Sequence, residues 1–201
     1  MKMNLPNKLS VLRLCMVPVF VVIMMISDAW WAYGLGLALF VIASLTDMLD
    51  GKIARKYGLV TDFGKFLDPL ADKFMVIGAM LVILYRTMQV APTWFQILFM
   101  VSVMLVIFRE LAVTSIRLVV SGSSGIVVAA NMLGKIKTCM QIACVVCCIA
   151  ERIFYDNITA LNFLGDYLPL STVTTALMLV FTLWSGINYL ASYWKYMDPQ
   201  K

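Results

Sequence analysis

Five aspartates stand close together in this chain: Asp47, Asp50, Asp62, Asp68 and Asp72, within 47-DMLDGKIARKYGLVTDFGKFLDPLADK-73. The chain has 201 residues, only 11 of them acidic, and is 62% hydrophobic, so composition does not account for the cluster. On a helix, at about 100° per residue, Asp47, Asp50, Gly51 and Ala54 share one narrow face, with Arg55 at its edge. Gly64, Asp68 and Asp72 are four apart and make a second such face. The small residues leave room for a ligand to approach the backbone. A short link predicts antiparallel neighbouring helices, so that four carboxylates converge. Four ionised carboxylates repel one another. Two divalent cations would neutralise them, and all-oxygen donors favour Mg2+ or Mn2+ over zinc. Two metals so held suit displacement at phosphorus. The chain has no histidine, so the commonest general base and zinc ligand is missing. Asp62 reads as a helix N-cap, and Pro69 is tolerable in a first helical turn. Acids at a helix end are usually solvated caps or salt-bridge partners. For the other four, the cost of charge at membrane depth and the shared faces weigh against that.

The elements that must carry these faces are membrane helices. Only 13% of residues are charged, against about a quarter in soluble domains. Six apolar segments are long enough to span, at about 8–27, 30–56, 66–86, 93–120, 131–152 and 170–195. Strand alternation is absent, which argues against a β-barrel. The fold class expected is an all-α integral membrane protein with six transmembrane helices, one polytopic domain over 1–201. Lys2, Lys8 and Arg13 before 14-LCMVPVFVVIMMI-26 have a signal-peptide outline. Without a small-x-small cleavage site, the run reads as a retained first membrane helix.

With a cytoplasmic N-terminus, every Lys and Arg except Arg86 and Arg152 falls on the cytoplasmic side. Both termini are then inside, and Trp30, Trp31, Tyr85 and Trp94 lie near the outer ends. The net charge of +5 points to an anionic membrane surface and an anionic substrate, and nothing suggests nucleic acid. The five cysteines lie in apolar runs. Cys144 and Cys147 form a CxxC, read as small apolar residues rather than a redox or metal site.

A second, basic group follows. Arg109 and Arg117 are two helical turns apart on one face, and Lys135 and Lys137 open the next helix. Together they form a pocket for a phosphate. The plainer alternative is that they enforce topology or bind anionic lipid. Glu110 is placed to orient one of the arginines.

The pattern Asp47-xx-Asp50-Gly51-xx-Ala54-Arg55-x8-Gly64-xxx-Asp68-xxx-Asp72 resembles the signature of the CDP-alcohol phosphatidyltransferases at every fixed position. The resemblance implies a six-helix bundle, usually a homodimer, in which Asp47, Asp50, Asp68 and Asp72 bind two metal ions. It casts Asp72 also as the base toward the acceptor hydroxyl. Gly51, Arg55 and Thr61 would contact CDP-diacylglycerol, with Gly64 leaving space for its pyrophosphate. The opening 4-NLPNKLSVLRLCMVPVF-20, 109-RELAVTSIR-117 and 133-LGKIKT-138 resemble the bacterial phosphatidylglycerophosphate synthase branch, with Ser10 where a threonine is usual. That branch implies nucleotide-side roles for Asn7, Ser10 and Arg13, glycerol 3-phosphate as the acceptor on the basic group, and a bacterial cytoplasmic membrane with the site facing inward. Two other readings stay open. One is the same chemistry with another acceptor, as in cardiolipin, phosphatidylinositol phosphate or phosphatidylserine synthases. The other is a cation transporter, which predicts broken helices at mid-membrane.

Overall fold

The computed structural model describes residues 4–58, 61–124, 132–157 and 167–194, with side chains at all of these except 50, 52–56, 65, 121–124 and 156. Among the described residues every element is an α-helix: α1 Leu5–Ile26, α2 Trp30–Lys56, α3 Asp62–Val90, α4 Thr93–Ser124, α5 Met132–Asn157 and α6 Pro169–Tyr193. Five of the six are long and apolar enough to cross a membrane: α1, α2 through Leu49, α4 through Val120, α5 through Tyr155, and α6. This is the fold of a multi-pass membrane protein. The sixth helix, α3, carries Asp62, Asp68, Asp72 and Lys73 in its first half and is not one of these five.

The helices follow the apolar runs, and their ends follow local chemistry. Pro6 starts α1, where a missing N–H costs nothing. Thr61, not Asp62, is the N-cap of α3, and its Oγ1 accepts from the Gly64 N–H at 3.0 Å. The hydroxyl has the reach for this bond, and Asp62 becomes the first helical residue, where its charge suits the helix dipole. Pro69 lies well inside α3 rather than in its first turn. It gives no N–H to the carbonyl four residues back, and tertiary packing carries the helix past it. Gly58 has a φ of +63°, the left-handed value that lets the chain turn out of α2. At the far end, buried Glu151 accepts from the Leu170 and Ser171 N–H groups at 2.9 and 2.7 Å. It thereby caps α6 from α5.

One apolar core joins all six helices, running from Val17, Phe20 and Met24 of α1 through Met80, Phe99 and Val145 to Met178. Large apolar side chains such as Val19, Phe108, Leu118 and Ile187 point outward, as a lipid-facing surface requires. The buried stripe of α6 is instead Ser171, Thr175, Met178, Thr182, Ser185, Gly186 and Tyr189. Small residues let helices approach closely where lipid offers no hydrophobic drive to associate.

The pairing of helices departs from the sequence expectation. α2 and α3 touch only lightly, while α1 packs extensively on both. The two acid-bearing helices are therefore joined through α1. The reason lies in the stripe that α1 buries, Asn7, Ser10, Arg13, Val17, Phe20 and Met24. It is polar for two turns and apolar beyond, so one helix serves both an ionic site and a core.

Candidate active site

Asn7, Ser10 and Arg13 are all buried, and each reaches an element that carries the acidic motif. Asn7 Nδ2 donates to Thr61 Oγ1 at 2.9 Å. Ser10 Oγ donates to Asp68 Oδ1 at 2.6 Å. Arg13 Nη1 donates to Asp47 Oδ1 at 2.5 Å and also to Asp72 Oδ1. Two oxygens bound to one nitrogen lie within about 5 Å of each other. The Arg13 side chain is 0% exposed, while those of Asp47 and Asp72 are 37% and 43% exposed. The cation thus supports the carboxylates from behind, and their other side opens outward. A buried guanidinium between two acids offsets the repulsion that the acids alone would suffer.

The helix spacing therefore brings Asp47 and Asp72 to one place, with Asp68 a turn away on Ser10. The side chains of Asp50 and Arg55 lie outside the described residues; their backbone continues α2. Among the described residues no three of His, Cys, Asp and Glu are near enough to hold one ion. The donors present are carboxylate oxygens that keep a solvent-facing side, a chemistry that fits a hard divalent cation. Gly51 is half-buried in α2. The space beside Gly64 is taken by Asn7, whose Oδ1 would lie 2.8 Å from a Cβ there. A glycine at this position is what lets α1 close onto α3.

The basic residues divide into two groups. Lys137 is buried on α5 and donates to Glu110 Oε1, which also accepts from Arg109 Nη1 at 3.3 Å. Glu110 therefore ties Arg109 to Lys137. Arg117 is exposed; its Nε donates to Tyr189 OH at 2.7 Å and its guanidinium sits 5.3 Å from that ring's centroid. Lys135 is exposed at the start of α5.

Sequence reasoning passed over Lys73 and Thr114. Lys73 Nζ donates to Thr114 Oγ1 on α4. The lysine lies in the field of Glu110, Arg117, Arg109 and Asp72. Successive helical residues point about 100° apart, so Asp72 turns to α1 and α2 while Lys73 turns to α4. The signal available was a cation directly after the last acid of the motif, at a depth where charge is costly.

The sequence matches the family model described as CDP-alcohol phosphatidyltransferase over residues 3–184. The chain is 38% identical to the CDP-diacylglycerol--glycerol-3-phosphate 3-phosphatidyltransferase of Bacillus subtilis, over 96% of each chain. It is 32% identical to "CDP-diacylglycerol--glycerol-3-phosphate 3-phosphatidyltransferase 2" of Arabidopsis thaliana, over 96% of this chain and 80% of that one. A Rickettsia felis protein of the same name as the Bacillus one is 38% identical over 69% of this chain and 70% of its own length. The matched span runs from before Asn7 to past the last basic residue of the second group, and so takes in both charged sites. With that coverage, the chain belongs to the CDP-alcohol phosphatidyltransferase family.

Proposed function

We propose that this protein transfers the phosphatidyl group of CDP-diacylglycerol to glycerol 3-phosphate, giving phosphatidylglycerophosphate and CMP. The observation that carries the reading is the adjacency of two charged sites on α3. Asp72 shares Arg13 with Asp47, and its neighbour Lys73 bonds Thr114 beside the Glu110 network. On this reading the donor site and the site for an anionic acceptor lie on adjacent residues of α3. The names of the relatives agree on both substrates.

Members of this family generally use divalent metals. Asp47, Asp50, Asp68 and Asp72 would hold two of them, Mg2+ or Mn2+, whose charge neutralises a pyrophosphate. Asn7, Ser10, Arg13, Gly51, Arg55 and Thr61 form the nucleotide side, and Gly64 contributes by admitting Asn7 against α3. Of these, Arg13 holds the Asp47 and Asp72 carboxylates in place. Arg109, Arg117, Lys135 and Lys137 receive the phosphate of glycerol 3-phosphate. Asp72 accepts the proton of its C1 hydroxyl, and the oxygen attacks the phosphorus that bears the diacylglycerol. The bond from that phosphorus to the bridging oxygen breaks, and CMP leaves with the electron pair. The same proposal has residues 1–201 as one polytopic domain with six spans, both termini and the site cytoplasmic, in a bacterial cell membrane, as a homodimer.

Purified protein with CDP-diacylglycerol and a panel of acceptors tests this. CMP release with glycerol 3-phosphate is expected. Release with phosphatidylglycerol, inositol phosphate or serine instead would reassign the acceptor. Cation flux without CMP release would leave a transporter.

A further inference from the structure

Lys73 has a place in this site that the acidic motif does not define. It follows Asp72 directly in α3, and its ammonium crosses to α4, where Thr114 Oγ1 accepts from it. Thr114 in turn donates to the Glu110 backbone carbonyl at 2.7 Å, which fixes its hydroxyl beside the basic network. The hydrogen bonds described for Lys73 and Arg117 go to neutral hydroxyls, of Thr114 and Tyr189. The charge of Lys137 is met by Glu110. A bond from an ammonium or guanidinium to a hydroxyl is weaker than one to a phosphate oxygen, so both cations gain by exchanging partners. Lys73 and Asp72 leave α3 from adjacent backbone positions, with Cα atoms about 3.8 Å apart, and their side chains turn to α4 and to α1.

We propose that Lys73 is the specificity-determining contact for the acceptor's phosphate. With Arg109 and Arg117 it holds that phosphate at a distance from which the hydroxyl at the other end of a three-carbon acceptor meets Asp72. Lys73 therefore selects phosphorylated acceptors by charge. This rests on the reading that the acceptor is glycerol 3-phosphate.

The test is CMP release by purified protein at saturating CDP-diacylglycerol, titrating glycerol 3-phosphate and, separately, glycerol. Lys73→Met should raise KM for glycerol 3-phosphate about tenfold or more and lower the preference for it over glycerol by a similar factor. KM for CDP-diacylglycerol should stay within about twofold, which also reports an intact fold. Lys73→Arg should recover most of the preference. Thr114→Val keeps the cation and should keep the preference. Lys73→Gln repeats the test should Lys73→Met not fold. An unchanged preference in Lys73→Met, or equal changes in both KM values, overturns the proposal. So does a Thr114→Val variant as impaired as Lys73→Met, since the bond would then be structural. Wild-type protein without any preference for glycerol 3-phosphate overturns the acceptor reading, and this inference with it. Wild-type preference that survives in Lys73→Met overturns the role of Lys73 alone.

Discussion

Arg13 is wholly buried, yet the two carboxylates it serves are open to a ligand. Arg13→Met would remove the guanidinium that Asp47 and Asp72 share. Breaking a fully buried pair costs about 3–5 kcal/mol. Here the carboxylates keep contact with water, so a loss of about 2 kcal/mol is expected. Thermal unfolding with and without Mg2+ checks it: the variant should regain more stability from the cation than wild type does. Equal gains would show that Arg13 does not support a cation site. Asp72 makes a sharper case at the same scale. Asp72→Asn keeps the shape and the bond from Arg13 but cannot accept a proton. CMP release should fall by about 100-fold or more while CDP-diacylglycerol still binds. Substantial turnover in that variant would take Asp72 out of the role of base.

At the scale of elements, the closure of α1 on α3 depends on one missing side chain. A Cβ at Gly64 would lie 2.8 Å from Asn7 Oδ1 and 3.2 Å from Thr61 Oγ1. Asn7 and Thr61 are also bonded to each other, so neither yields freely. Gly64→Ala should cost about 1–3 kcal/mol by the rule for overpacking, and it should lower activity because Ser10 and Arg13 ride on the same helix. Gly34 in α2 is the control, with nothing within 4 Å of its Cβ position. Gly34→Ala should be neutral or gain up to about 1 kcal/mol from helix propensity. Thermal melts of both variants, paired with CMP-release rates, separate a wedge between helices from a general intolerance of change.

Across the whole molecule the two ends of the bundle do different work. Arg86 lies 14 residues along α3 from Asp72, about 21 Å at 1.5 Å per residue. Its Nε donates to the Met24 carbonyl at 2.7 Å, and its terminal nitrogens reach the Ser27 carbonyl at 3.0 Å and the Asp28 carboxylate. It binds carbonyls that the end of α1 leaves open and ties that end to α3. Arg86→Met should therefore lower the melting temperature and leave KM for both substrates unchanged in the protein that stays folded. A raised KM would mean that the far end of the bundle transmits to the site. Beside Arg86 lies a cavity of about 80 Å³, lined also by Tyr33, Phe95 and Arg152.

Much of this was legible in the residues themselves. Apolar runs placed the six helices to within a few residues, and five of the six are long and apolar enough to cross a membrane, where lipid forces each backbone to satisfy its own hydrogen bonds. The four-residue spacing put Gly64, Asp68 and Asp72 on one face of α3, because a helix turns every 3.6 residues. The polar half of α1's buried stripe was present as Asn7, Ser10 and Arg13, but periodicity does not say which helix a face will meet. The tertiary structure decided that α1, rather than direct contact of α2 with α3, joins Asp47 to Asp72. It also decided that Thr61 caps α3, that Glu110 couples Arg109 to Lys137, and that Lys73 turns from the acids toward Thr114. Local spacing is a property of one helix and can be counted along the chain. Which charges become partners depends on how whole helices pack, and the sum of many apolar contacts far from those charges settles that packing.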